Sequence, residues 1–503
     1  MTQFDTVVRG GIVITAIDRF RCDIGIIDGV IAALGTGLSK GKREVDATDK
    51  LVLPGGIDSH VHLDQDSPET GAISANDFRS GTVSAACGGN TTVIPFVRQL
   101  KGQPLTEAVE HYHMKSDGKA AIDYAFHLIV ADLTERVLEI ELPRLAQSGY
   151  ASVKMYMTYD SLKLSDLEML KLLAFCRKTG AMPMVHAENS DCIKWLTDLL
   201  LKGGYTEPRY KAVAHNSIVE REAAGRAISL AEIADVPLLV VHVASHETAE
   251  VIGNAQRRGL RIFGETCPQY LFLTEKDIDR EGMEGAKCIC SPPPMSEANR
   301  LSLWQSVTAG VFQVVSSDHA PYRFDDPKGK LVNGPKPSFN RITNGVPGIE
   351  LRMPLLFTGG VQDGRIDIHQ FVAQTSTNAA KIYGLYPRKG TIAIGSDADL
   401  AIWDPDLKVT ASTDILHDGM DYTPYEGIAL RGWPVVTMLR GEIICENFAF
   451  VGKSNGGKFL KCDLPNRRPA EVDMATDLVR RFLPGGASTR NASTPQAPAR
   501  EPA

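Results

Sequence analysis

No stretch of this 503-residue chain approaches the roughly 18 uninterrupted apolar residues that a membrane-crossing helix needs. Its opening, Met-Thr-Gln-Phe-Asp-Thr-Val-Val-Arg-Gly-Gly, lacks the basic-then-apolar build of a secretory leader, so a cytoplasmic location is expected. A strong excess of either charge is missing too. The net charge of −7 gives no reason to expect nucleic acid or an anionic membrane as partner. The nine cysteines include no Cys-x-x-Cys, the closest pair being Cys288 and Cys290 with one residue between them. They read as reduced, mostly buried thiols. No Gly-Lys-Ser/Thr follows Gly88-Gly89, so that pair is a helix-to-strand turn rather than a phosphate loop.

What the chain does contain is a regular alternation of elements. Strand-like runs at Gly56–His62, Thr91–Phe96, Tyr124–Val130, Ala151–Met157, Met182–His186, Leu238–His242, Arg261–Thr266 and Phe312–Ser317 are separated by segments with apolar residues every three or four positions. Eight such units predict a (β/α)8 TIM-like barrel spanning 54–388, with its active site at the C-terminal ends of the strands. Short strands punctuated by Gly10-Gly11 and Asp28-Gly29 fill 1–53, and the same texture returns over 389–465, where Arg440-Gly441 marks a turn. The two ends are expected to meet in one small β-sandwich. Beyond 466, after a helical piece at Glu471–Phe482, the composition turns to Pro, Ala, Ser, Thr and Arg, and the last twenty or so residues read as disordered. Asn491-Ala-Ser matches a glycosylation sequon by chance.

Six residues at those strand ends can hold metal. His60 and His62 stand two apart on a strand, so both face the barrel interior. His186, His242 and Asp318 follow later strands. Imidazole nitrogens with a carboxylate suit zinc, and manganese fits the same set. Lys154 leaves two readings open on residue physics alone. Buried among cations, its amine would be neutral and could add carbon dioxide to become a metal-bridging carbamate. Otherwise it is an ion-paired lysine at the rim. His319 and His246 are candidates to orient metal ligands or to be structural, and His111 and His113 read as solvated.

The motifs Gly-Gly-Ile-Asp-Ser-His-Val-His, Ala-Ala-Cys-Gly-Gly-Asn-Thr-Thr, Lys154 with Tyr159 five residues on, Val-His-Ala-Glu-Asn, Glu-Thr-Cys-Pro-Gln-Tyr-Leu, Ser-Pro-Pro-Pro, Ser-Ser-Asp-His and Asn-Gly-Val-Pro-Gly run through nearly the whole chain. On these it resembles the cyclic amidohydrolases of the dihydropyrimidinase and D-hydantoinase type. The resemblance implies two divalent ions: one on His60, His62, carboxylated Lys154 and Asp318, the other on Lys154, His186 and His242, with a hydroxide between them. It implies that Tyr159 donates to the oxyanion, and that Ser291 and Asn344 grip the ring amide largely through main-chain groups. Asp318 would take the proton of the attacking hydroxide and deliver it to the departing nitrogen, or else only coordinate metal. A homotetramer is implied as well. Thr343 stands where the family usually has proline, which predicts a less rigid loop before Asn344.

The expected activity is hydrolysis of a hydantoin, a dihydropyrimidine or a cyclic imide to an N-carbamoyl amino acid or half-amide. Dihydroorotase is disfavoured because Asp64 stands where such enzymes carry a carboxylate-binding arginine. Allantoinase is less excluded. A mononuclear deaminase conflicts with Lys154, and a non-catalytic scaffold conflicts with the intact ligand set. The acidic run Asp64-Gln65-Asp66-Ser67-Pro68-Glu69 after the first strand suggests tolerance for polar or cationic ring substituents.

Overall fold

The computed structural model describes residues 3–464, 466 and 474–483. The expected disorder of the last twenty residues lies outside them. The expected helix there runs from Met474 to Phe482, and Glu471 also falls outside.

The buried apolar runs form eight successive parallel strands. They are Gly56–Val61, Asn90–Arg98, a third in two pieces at Asp123–Tyr124 and His127–Ile129, then Ser152–Tyr156, Met182–His186, Leu238–Val240, Ile262–Thr266 and Val314–Val315. Each pairs with its neighbours in sequence, as βα units require. The third strand, expected as one run, is split because Tyr124 turns aside to pair with the C-terminal segment: its N–H donates to Lys458 O and its carbonyl accepts from Leu460 N. The sixth stops before His242, whose N–H goes to the Glu265 carboxylate at 3.1 Å instead of to a ladder carbonyl.

Between the first and eighth strands the seam is made by irregular contacts. Val61 bridges His319, His62 N–H donates to His319 O at 2.7 Å, and Ser317 N–H donates to Asp58 Oδ1 at 3.0 Å. The sheet thereby curls into a TIM-like barrel. Fully buried Arg352 fastens the same seam. It donates to Val315 O at 2.8 Å and to Asn90 Oδ1, and its Nε lies 3.7 Å from Asp58 Oδ2. Asp58, two residues before His60, is thus the buried counter-charge of that guanidinium. Removing one partner of a buried pair strands the other charge. Arg352→Met is expected to cost about 3–5 kcal/mol in urea unfolding of the full chain; a loss below about 1 kcal/mol would contradict this role.

The chain ends meet as expected. Thr6–Ile14, Arg19–Ile27, Val30–Gly35 and Leu51–Pro54 share one nine-stranded sheet with Leu400–Thr410, Ala429–Leu439, Glu442–Glu446 and Ala449–Phe450. The join is antiparallel, Leu53 opposite Ala401. The ninth strand, Arg43–Asp46, runs parallel to Thr6–Ile14. Asp28-Gly29 and Arg440-Gly441 turn their hairpins with φ of 51° and 77°, and 47° and 76°, as two-residue loops with both φ positive require. Buried Lys389 clamps this sheet to the base of the barrel, reaching Asp123 at 2.7 Å and Asp399 at 2.6 Å.

Candidate active site

All six expected ligands lie at the C-terminal ends of the barrel strands, around a cavity of about 600 Å³ that His60, His62, His186, His242 and Asp318 line. Two of the six, His242 with φ 37° and Asp318 with φ 49°, adopt left-handed backbone, as does Tyr159 with φ 65°. Bulky side chains held in that region cost of order 1–3 kcal/mol each, and such strain clusters at functional sites.

The hydrogen bonds fix where the imidazole lone pairs point. His60 Nδ1 lies 2.6 Å from Glu265 Oε1, an oxygen that already accepts the His242 N–H, so Nδ1 carries the proton. His62 Nδ1 faces Gln65 Oε1, because the Gln65 amide nitrogen donates to Phe96 O and Tyr112 Oη. Both Nε2 lone pairs therefore point inward, and they meet a single carboxylate oxygen, Asp318 Oδ1, at 3.2 and 3.4 Å. Three acceptors converge with no proton to share. A cation held between them makes that arrangement favourable. His186 repeats the pattern. Its Nε2 donates to Glu188 Oε2 at 2.6 Å, which turns Nδ1 toward His242 Nε2 at 2.8 Å.

Lys154 stands between the two groups. Its amine is completely buried and has no hydrogen-bond partner among the described residues, with the Phe96 and Tyr156 rings at 4.9 and 5.3 Å. Burial pushes its pKa down from 10.5 to about 8, even though Glu265 and Asp318 pull the other way. Burial likewise keeps His60 and His242 neutral, ready to coordinate. At Asp318 burial works upward, but whenever His60, His62 or Lys154 carries a proton the attraction outweighs it and holds the carboxyl below its usual range. The donor set fits divalent cations: imidazole nitrogens, one carboxylate and an unsatisfied amine.

On the cavity wall, Asn344 Nδ2 reaches Tyr159 Oη at 3.5 Å, and burial raises the Tyr159 pKa well above 10. The phenol thus stays protonated. Ser291 Oγ donates to Glu188 Oε2 at 2.7 Å, so its side chain is engaged and its backbone is what it can offer a ligand. Buried Lys330 ties the two loops together by donating to Ile289 O at 2.9 Å and to Gly345 O. Thr343 does not loosen its loop. Its hydroxyl lies 2.8 Å from Thr70 Oγ1 and its N–H donates to Lys330 O, the latter a bond proline cannot make.

Sequence reasoning missed the residues that orient the imidazoles. Glu265 and Glu188 stand inside the motifs quoted above and Gln65 three residues past His62, which was the available signal. His215 and buried Lys211 line the wall beside Glu188 without any motif to announce them. Other expectations need correction. His113 is not solvated: it lies 2.7 Å from Tyr150 Oη and packs on Phe126 and Phe459. His246 sits at a helix start, its Nε2 3.4 Å from Glu250, while His319 binds Asn76 at 2.7 Å. Of the acidic run, Asp64 and Asp66 line a different cavity, while Ser67, Pro68 and Glu69 line this one. A second cluster, Cys87 with Glu350 and His417, is already closed by the ion pair His417 Nδ1–Glu350 Oε1 at 2.9 Å.

The amidohydrolase family profile matches residues 51–444. The D-hydantoinase of Ralstonia pickettii is 41% identical over 458 residues, 91% of this chain and 98% of that protein. That of Geobacillus stearothermophilus is 42% identical over 457 residues, 90% and 96% of the two chains. The crystal structure of dihydropyrimidinase from Brevibacillus agri superposes with a TM-score of 0.89 at 39% identity, covering 92% of this chain and all of the other. The chain belongs to the amidohydrolase family, in the company of the D-hydantoinases and dihydropyrimidinases.

Proposed function

We propose that the protein hydrolyses a cyclic amide (a hydantoin or dihydropyrimidine, with cyclic imides as an extension) to an open-chain N-carbamoyl amino acid or half-amide. The observation that carries this is the convergence of His60 Nε2 and His62 Nε2 on Asp318 Oδ1 beside the unpartnered Lys154 amine. We assign one divalent ion to His60, His62, Lys154 and Asp318, and a second to Lys154, His186 and His242, with zinc the best match and manganese acceptable. Lys154, its pKa depressed to about 8, has free amine available near neutral pH that would add carbon dioxide, with loss of a proton, to give an N6-carboxylate able to help hold the ions. When bound, such a pair of cations lowers the pKa of water and polarises a carbonyl.

The chain's own groups do the rest. Tyr159, protonated across the working pH range, donates to the oxyanion as the ring carbonyl becomes tetrahedral. Main-chain groups at Ser291 and Asn344 hold the ring amide, with Lys330 keeping the two loops in register. Asp318 carries the proton from the attacking oxygen to the departing nitrogen.

The same reading divides the chain into the barrel at 54–388 and a small domain from 1–53 and 389–465. The latter closes as a β-sandwich, which the shared core of Val8, Ile24, Val52, Leu400 and Met438 supports. It places the protein in the cytoplasm as a homotetramer; Trp195 and Leu199, exposed four residues apart on one helix, offer apolar surface to a neighbour. Full-length, zinc-replete protein is expected to open hydantoin, dihydrouracil or succinimide, and to stop after treatment with a chelator until metal is returned. If all three rings survive, the reading fails.

A further inference from the structure

One charge in the cavity lining has no part in the ring-opening chemistry. Arg98 closes the second barrel strand, and its half-buried side chain lines the cavity with Ser67, Ile129, Tyr156, Leu162 and Tyr322. Its Nη1 donates to Asp66 O at 2.6 Å. Among the described residues no carboxylate pairs with it.

The other charged groups of the same wall are accounted for. Lys194 is bound to Asp160 at 2.7 Å. Exposed Arg341 is held by Asn333 at 3.0 Å. Lys211 is buried in the field of Glu188. Exposed Glu69 accepts from Ser161 Oγ at 2.7 Å, and solvent screens what remains of its charge. Arg98 and exposed Arg341 are the guanidiniums of this lining that meet no carboxylate among the described residues, and of the two Arg98 is the half-buried one, flanked by phenol and aliphatic side chains, with donors to spare. A planar guanidinium in such a place matches a carboxylate, which it can grip with two parallel N–H groups.

We propose that this lobe selects a ring substituent ending in a carboxylate, so that the preferred substrates are cyclic amides with a short acidic side chain and the products N-carbamoyl acidic amino acids. The proposal rests on the ring-opening reading and names the substrate class for it. The acidic run after the first strand does not oppose it. Asp64 is paired with Lys115 at 3.1 Å, and Asp66 offers Arg98 only its backbone carbonyl.

The test compares two isosteres, the hydantoins of glutamate and of glutamine, which differ only in the charge of the side-chain terminus. On zinc-replete, full-length protein kcat/KM is expected to favour the glutamate hydantoin by about 10- to 100-fold, the range of a charge-assisted hydrogen bond. In Arg98→Met the acid-to-amide ratio falls to about one, and Arg98→Lys restores part of it. A merely structural arginine would depress both substrates together and leave the ratio unmoved, which would overturn the proposal. So would a ratio near one in the unaltered protein, a measurement that needs no variant to fold. If the glutamine hydantoin and unsubstituted hydantoin open but the acid is not favoured, the selectivity alone is wrong. If no ring opens at all, the ring-opening reading falls and this inference with it.

Discussion

Lys154→Met protein is expected to retain no second metal, to lose at least about 10⁴-fold in kcat, and yet, compared metal-free, to unfold at a higher urea concentration than the unaltered chain. The two signs have one cause. A completely buried amine without a hydrogen-bond partner is a stability liability, and its pKa records that directly. A fall from 10.5 to about 8 corresponds to about 3 kcal/mol at neutral pH. Lysine is depressed in the folded state, so the unfolded chain binds the extra proton. The penalty is full below pH 8 and fades as pH rises through 10.5. Urea midpoints of metal-free protein should therefore differ most near pH 7 and converge near pH 10. Methionine fills the space without a charge, next to Phe96 and Tyr156, and removes the liability. Activity goes the other way, because the several kcal/mol of charge stabilisation that a metal pair supplies is lost. Lys154→Ala adds a chemical check. A short carboxylate such as propionate can enter the vacated space and present two oxygens, as a carbamate would. Rescue by propionate and not by propylamine identifies the anion as the working form; rescue by the amine alone would overturn the carboxylated-lysine assignment.

The strands that position this site were legible because each is a short apolar run with its chemistry at one end, and burial on both faces demands that pattern. His60, His186 and His242 could be placed by counting along such runs. The seam could not. The first and eighth strands are joined through Asp58, Ser317 and Arg352, which are far apart in the chain and carry no periodicity. The same limit hid Glu265, Gln65 and Glu188. A carboxylate that sets an imidazole tautomer leaves no local signature when its partner lies on another strand, as Glu265 does from His60. The directions of the side chains in the acidic run were hidden for a related reason. Composition reports charge but not direction, and left-handed backbone at Asp64, with φ of 50°, accompanies a side chain paired to Lys115 on a neighbouring helix. Arg98 carries no local signature, and only the fold brings it to the wall of the cavity.

Asp318→Asn is expected to lower kcat by about 10³- to 10⁴-fold while zinc content, measured after reconstitution in excess metal, stays within a factor of two of the unaltered chain. Asparagine keeps an oxygen where Oδ1 now faces His60 and His62, so a ligand atom survives. What it cannot do is carry a proton. The carboxylate is well placed for proton transfer, because Oδ1 is committed to the imidazole side while the group as a whole lines the cavity together with His242 and Ser291. Its pKa, held below the usual carboxylate range against the upward push of burial by whatever positive charge His60, His62 or Lys154 carries, keeps it ionised through neutral and mildly acid pH. Loss of activity down to about pH 5 therefore belongs to other groups, and an acid limb that vanishes in Asp318→Asn near pH 6 would contradict this order of titration. The decisive comparison is activity per bound metal. If full reconstitution of Asp318→Asn returns more than about a tenth of kcat, the carboxylate only coordinates, and the proton that reaches the departing nitrogen travels by another route.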